Sequence, residues 1–286
     1  MAVLCARVRG EEKLIFRALA QRSVPFDRLD ESDLALPLGT DGLGERYGLV
    51  WNRLLSHTRA LYILGILNRW GVATVNTYEA ALICGDKVLT TLALARHGLP
   101  TPRTTVAFSP EAAMAAIEQM GYPVVLKPAV GSWGRLLSKV NDPETAEAVL
   151  AHKALLGGPA HAVFYIQEYV EKPGRDIRVL VVGDEVVYAV YRRSSHWVTN
   201  TARGADTLPC PLTPEISALA LAAARVVGGG ILAVDLLEDA DGRLLISEVN
   251  HTPEFHGAMR AVDVDIAGAM TDYVLARLRA LQEESR

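Results

Sequence analysis

Residues 231–250 read ILAVDLLEDADGRLLISEVN. Ile231–Glu238 and Arg243–Asn250 are strand-length runs rich in apolar residues, and Asp239-Ala240-Asp241-Gly242 between them has turn composition, so the stretch reads as a β-hairpin. Pairing Glu238 with Arg243 sets Asp235 opposite Ile246. Alternation then puts Asp235, Glu248 and Asn250 on one face. Asp235 stands inside ILAVDLL, where an unpaired carboxylate is costly to desolvate, so a cation is expected beside it. A surface acid and a turn asparagine are the ordinary alternative.

The hairpin runs on into EVNHTPEFHG, Glu248–Gly257, whose two histidines and two carboxylates raise a zinc reading. His251 falls on the face away from Asp235. Three oxygen donors on the other face suit magnesium held jointly with substrate phosphates, whereas zinc prefers histidine or thiolate. His251 and His256 are then substrate contacts or packing residues.

Upstream, GRDIRVLVVGDEVVYAVYRR, Gly174–Arg193, is a second hairpin turning at Gly183-Asp184 and pairing Val182 with Glu185. That register puts Asp176 and Arg178 on a face with Tyr191 and Arg193, with Arg192 pointing the other way. In a strand otherwise apolar on both faces, such charges line a cleft more readily than they face bulk solvent. Further upstream, KPAVGSWGRLL, Lys127–Leu137, carries Gly131 and Gly134 between two strand patterns, a tight hairpin whose tip could fold over phosphates. An ordinary hairpin with a solvated lysine fits the same residues. Neither G-x-x-x-x-G-K-[ST] nor G-x-G-x-x-G occurs.

Around these motifs the chain alternates short strands with alanine- and leucine-rich helices. Met1–Val8, Glu11–Arg22 and Pro25–Leu29 read as strand, helix and strand of a small open α/β domain. Asp86–His97 is a helix capped by Asp86 and stopped by Gly98, and Pro143–His152 another. The 286 residues, half of them hydrophobic, suffice for more than one core, and the net charge of -4 offers no general basic footprint for nucleic acid or an anionic membrane. Cys5, Cys84 and Cys210 are isolated, which speaks against a disulfide framework and suits a reducing cytoplasm. Residues 219–237 are broken by Arg225, three glycines and Asp235, so no membrane span is expected.

In order along the chain, Lys87, Lys127 with its GSWG loop, QEYV at 167–170, DIR at 176–178 and the set Asp235, Glu248 and Asn250 resemble the ATP-grasp superfamily. The resemblance implies an α/β N-terminal domain (1–82), a lid subdomain (83–165) and a C-terminal subdomain (166–286). It further implies ATP and two magnesium or manganese ions, with Lys87, Lys127, Gly131, Ser132, Trp133 and Gly134 on the phosphates. Glu168, Tyr169 and Val170 would read adenine, with Gln167 beside them in the nucleotide site, and Asp176 would hold the ribose. More closely, LKPAVGSWGRLLSKV, YRRSSHWVTNTARGA and EVNHTPEF resemble the LysX family of carrier-protein ligases. That implies a cytoplasmic, ADP-forming enzyme of lysine biosynthesis. It would join the terminal glutamate of a small acidic carrier, LysW, to α-aminoadipate through an acyl phosphate, and a homo-oligomer is expected.

In that family picture Arg178, Arg193, Asn200 and Arg203 serve the reacting centre, with Arg203 also readable as a solvated surface group. Ser194, Ser195, His196, Trp197, Thr201 and Gly204, with His251, Thr252, Glu254 and His256, face the amino substrate. His196 or its serines would meet the distal carboxylate, unless His196 is only packed or exposed. Pro253 and Ala205 depart from the family pattern and bear on substrate placement. A glutamate-using carrier or peptide ligase would share every ATP residue, whereas a non-catalytic nucleotide module would be expected to lose one.

Overall fold

The computed structural model describes residues 1–40, 42–156, 158, 162–200 and 204–284. Strands β1 (Ala2–Leu4), β2 (Asp27–Leu29), β3 (Leu49–Asn52) and β4 (Ala73–Val75) form a parallel sheet in the order β2-β1-β3-β4. Parallel neighbours need crossovers, and α1 (Gly10–Gln21) and α2 (His57–Arg69) supply two of them. β1 and β3 are buried at every position because helices cover both faces of the sheet. The first strand is shorter than the expected Met1–Val8, since the chain leaves the sheet at Cys5 to enter α1.

Two helices follow, α3 (Tyr78–Gly85) and α4 (Lys87–Arg96). The Asp86 carboxylate accepts from the Val88 and Leu89 amides, and Gly98 turns the chain away at φ +69°, as the capping residues imply. The second sheet holds β5 (Thr104–Ala107), β6 (Val124–Lys127), β7 (Ser138–Val140) and β8 (Phe164–Glu168), antiparallel in the order β5-β8-β6-β7. Helices α5 (Pro110–Met120) and α6 (Pro143–Leu156) pair with it, and Ala113, Ile117, Leu126, Leu150, Phe164 and Ile166 form its core. Because β8 is an inner strand of this sheet, the expected boundary at 165/166 falls inside it.

The third sheet contains β9 (Arg175–Val182), β10 (Glu185–Arg193), β11 (Asp206–Pro209), β12 (Ile231–Glu238) and β13 (Leu244–Asn250), antiparallel in the order β11-β10-β9-β12-β13. Helix α7 (Pro214–Val226) packs on the face carrying Ile177, Val179, Val181 and Val234. Helix α8 (Ile266–Glu284) packs on the other, where Leu180, Val190 and Ile231 join Met270 and Val274. That second core continues into Ile15, Leu19 and Trp51, so the N-terminal sheet and the third sheet share one apolar interior. The same sheet face becomes charged at Asp176, Arg178, Arg192 and Asp235, where the strands leave the core.

Both hairpins depart from simple alternation. β9 and β10 start in the expected register, Val182 opposite Glu185, but a bulge between Val186 and Tyr188 shifts the remainder by one residue. Asp176 therefore faces Arg192, and the expected grouping with Tyr191 and Arg193 is corrected: Arg193 pairs with Arg175 and is exposed. In the β12–β13 hairpin Glu238 pairs with Leu244 instead of Arg243, a slip that alone would invert the faces. A second shift, between Asp235 and Leu236, undoes it and sets Asp235 directly opposite Glu248.

Asn76, buried between the first and third sheets, donates to the Ile231 and His251 carbonyls at 2.8 and 2.7 Å and accepts from the Ile231 amide at 2.7 Å. Asn76→Ala leaves a buried N–H and two carbonyls without these partners. We expect it to lower unfolding free energy by about 2–4 kcal/mol, read as a lower denaturant midpoint at constant slope.

Candidate active site

Where the third sheet leaves the core, a buried charge cluster forms. Arg178 grips Asp235 with Nε on Oδ1 and Nη2 on Oδ2, both at 2.8 Å. Arg192 grips Asp176 at 2.6 and 2.8 Å and reaches Asp235 Oδ2 at 3.1 Å. Thr199 donates to Asp176, and the Lys172 ammonium donates to Thr199 at 2.6 Å. The cation expected beside Asp235 is thus present as two guanidiniums. They hold its carboxyl well below the usual carboxylate range despite burial, while burial pushes the Lys172 ammonium down. Asp176, expected at a ribose, has both its oxygens engaged within the protein. One guanidinium nitrogen of Arg192, Nη1, is buried with no hydrogen-bond partner among the described residues.

Two cavities meet at this cluster. The larger, about 280 Å³, lies between the N-terminal domain and the third sheet, and includes Leu54, His57, Arg178, Arg192, Asn250 and His251 in its wall. The smaller, about 110 Å³, lies between the second and third sheets, walled by Lys127, Gln167, Val170, Asp176 and Asp235 among others. Lys87, Gly131–Trp133, Arg192, Asn200 and Glu248 line both. Lys127 faces Glu248 from β6, yet burial outweighs the carboxylate and pushes its ammonium down to about 8.

The glycine loop spans both cavities. Lys87 Nζ donates to the Gly131 carbonyl at 2.7 Å, and Trp133 Nε1 donates to Glu254 at 3.2 Å. Trp133 and Gly134 take φ of +59° and +63°, the left-handed turn that glycine-rich composition favours. At the expected adenine hinge the Glu168 and Tyr169 amides donate to the Arg103 and Pro123 carbonyls, which leaves recognition to other groups there, such as Val170. Trp197 packs edge-on to Tyr169 in the smaller cavity, at 6.4 Å between ring centroids.

The amino-substrate expectations divide. Ser194, Ser195 and His196 wall neither cavity: His196 is exposed, and its Nδ1 accepts from the Val198 amide within its own turn. His251, Thr252, Glu254 and His256 do line the larger cavity. Thr201 and Arg203 lie outside the described residues, and Gly204 follows them at φ +89°. Sequence reading missed His57, whose Nδ1 lies 3.3 Å from His251 Nε2; burial lowers both, His251 to about 4, so the pair is neutral. It missed Lys172 and Thr199 as well. No motif flags such residues, which only the tertiary approach of three sheets brings together.

For a metal, the donors are Asp235 and Glu248 with the Asn250 amide between them, 3.4 Å from each carboxylate. No group of three or more His, Cys, Asp or Glu side chains that could hold a metal ion occurs among the described residues. Two carboxylates and an amide are a hard, oxygen-rich set of the kind magnesium takes with substrate phosphates, and they fit that ion.

A two-sheet cleft roofed by a glycine loop, with buried lysines and an acidic strand pair, defines an ATP-grasp ligase, an enzyme that uses ATP and a divalent metal. Residues 84–274 match the RimK-like ATP-grasp domain and residues 1–83 the LysX preATP-grasp domain, and the chain belongs to the RimK-like ATP-grasp family. It is 36% identical over 276 residues, 96% of this chain and 97% of the relative, to a glutamate–LysW ligase, ArgX, of Sulfolobus acidocaldarius. It is also 36% identical over 271 residues, 93% of this chain and 95% of the relative, to an α-aminoadipate–LysW ligase, LysX, of Sulfurisphaera tokodaii. Among solved structures it resembles a RimK-domain ATP-grasp protein of Sphaerobacter thermophilus, with a TM-score of 0.81, 27% identity and coverage of 96% of this chain and 98% of the other. No helix among the described residues is long and apolar enough to cross a membrane.

Two outcomes follow from this geometry. Removing one preorganised donor at a reacting centre costs about 10²–10³ in turnover, so Arg192→Ala should fall in that range while Arg193→Ala stays near the parent rate, measured by ADP release with thermal melts as control. Nucleotide affinity should weaken as pH rises through about 8, because Lys127 then loses the proton that phosphates require. Lys127→Arg, whose guanidinium stays charged, should flatten that limb in calorimetric titrations.

Proposed function

We propose that this ligase activates the side-chain carboxylate of the C-terminal glutamate of a small acidic carrier protein and joins it to the α-amino group of α-aminoadipate. The observation that carries the reading is the meeting of the two cavities at Lys87, Arg192, Asn200 and Glu248. ATP enters the smaller cavity, its adenine by Tyr169 and Val170 and its phosphates under the glycine loop, near Lys87 and Lys127. The carboxyl and amine partners occupy the larger one.

A carboxylate is a poor electrophile because its oxygen is a poor leaving group. One of its oxygens attacks the γ-phosphorus, the bond to ADP breaks, and an acyl phosphate forms; the amine then attacks the carbonyl carbon, expels phosphate and loses a proton. Lys127, Lys172, Arg178 and Arg192 stand around the charge that develops on the phosphoryl oxygens, with Lys172 and the two arginines already oriented by Asp176 and Asp235. Magnesium would be held by Glu248 and Asn250 beside Asp235, and when bound it neutralises phosphate charge. Asn200, with Arg203 and the Gly204 amide, is placed in sequence to hold the acyl oxygens. The neutral pair His57–His251, with Thr252 and His256, faces the amino substrate.

A second reading, glutamate as the amino substrate, has support from the glutamate-using relative that matches 96% of this chain. Supplying ATP, carrier and each amino acid separately, with ADP release and carrier mass as readouts, decides between them. The expected product is the carrier heavier by one aminoadipyl residue; a glutamyl adduct alone would select the second reading. Turnover should require magnesium or manganese and survive zinc-selective chelation of the enzyme. Full activity without any divalent ion would refute the metal assignment.

A further inference from the structure

Glu254 follows the hairpin that carries the acidic pair, and both of its carboxylate oxygens are engaged. Oε1 accepts from Arg9 Nη1 at 2.7 Å and Oε2 accepts from Trp133 Nε1 at 3.2 Å. Arg9 is itself fixed: its Nε and Nη2 each donate to Glu12 at 2.8 Å, and Glu12 meets Arg53, which donates to the Pro253 carbonyl at 3.1 Å. Glu11 accepts from the Phe255 and His256 amides. A four-charge network in the N-terminal domain, buried at Glu11, Glu12 and Arg53, thus clamps the backbone on both sides of Glu254, leaving its side chain as the contact to the glycine loop.

The loop has a second anchor in Lys87, which donates to the Gly131 carbonyl. That anchor is exchangeable. A lysine lining the nucleotide cavity gives its protons to phosphates when they arrive, since a charge-assisted bond to phosphate is stronger than one to a neutral carbonyl. Trp133 faces no such competition: an indole N–H binds a carboxylate that Arg9 already orients. We infer that Glu254 is a positioning residue that latches the glycine loop to the N-terminal domain through Trp133, holding the loop shut over bound nucleotide, and is not a contact of the amino substrate.

The loop supplies its own reporter, because Arg135 is exposed and sits two residues beyond Trp133, with its guanidinium 4.8 Å from the indole centroid. Trypsin cleavage after Arg135 is followed in the full chain with magnesium and a non-hydrolysable ATP analogue, alongside steady-state constants for ATP. Glu254→Gln can accept from only one of its two donors, and Trp133→Phe removes the indole donor while leaving the Arg9 network intact. Each should speed cleavage and raise KM for ATP about tenfold, the effect of one lost hydrogen bond worth about 1.4 kcal/mol. The double variant should match the single ones, because both break one contact. Cleavage unchanged in Trp133→Phe, or effects that multiply in the double variant, would overturn the latch. So would a Glu254→Gln defect confined to the KM of the amino substrate. The trypsin readout with the ATP analogue needs neither the carrier nor the amino acid, so the latch can fail or stand independently of the substrate assignment.

Discussion

Asp235 is buried on the inner face of the third sheet, and its charge is kept there by Arg178 and Arg192. A lone carboxylate at that depth would take up a proton instead of staying ionised. It holds Arg178 in a fixed fork and meets Arg192 at one oxygen, and Arg192 in turn is forked onto Asp176. Breaking such a cluster by removing one member is costly, because the survivors are left as uncompensated buried charges. The arrangement therefore contributes orientation more than stability. Lys127, Lys172, Arg178 and Arg192 face Asp176, Asp235 and Glu248, a balance that leaves positive charge in excess and suits the triphosphate of the ATP this family uses.

The N-terminal domain takes part in this chemistry instead of standing apart from it. Its interior runs without a break into the third sheet through Ile15, Leu19, Val190 and Met270. Its polar contribution is equally direct: Asn76 pins Ile231 and His251, and Arg53 pins Pro253. The segment after β13 sinks Phe255 into the same core, and these polar contacts fix the backbone around it. Anchored at successive backbone positions, it becomes one rigid wall of the larger cavity. The glycine loop opposite has only two side-chain anchors, Lys87 and Trp133, among its described contacts. One wall is thus built to stay and the other to move.

The ordered motifs of the sequence sufficed for the fold class and the family. Capped helices such as α4 were legible because caps are local: Asp86 and Gly98 act within a turn of the residues they serve. Faces of strands were less legible, since a bulge leaves no mark in alternation. At β9–β10 the extra residue exchanged Arg193 for Arg192. At β12–β13 two shifts cancelled, so the grouping of Asp235, Glu248 and Asn250 came out for a reason other than the register assumed. His57, Arg9 and Arg53 were invisible for a different reason. Each lies outside any recognisable motif, and each acquires its role from contact with a segment about 200 residues away or more.

The same distinction explains why ATP use is plain in the sequence while the amino substrate is not. Phosphates demand charge at fixed places, and charge at depth is rare enough to stand out. Glutamate and α-aminoadipate differ by one methylene, which a cavity wall can separate by only about 1–3 kcal/mol unless a polar group is set at the matching distance. The structure moves that question away from the exposed His196, toward the neutral imidazoles of His57 and His251 and the hydroxyl of Thr252. A neutral pair can donate to a carboxylate in one tautomeric arrangement and accept in the other, so its selectivity rests on reach and not on charge. Reach is set by how closely α2 approaches β13, a tertiary distance that no local stretch of sequence encodes.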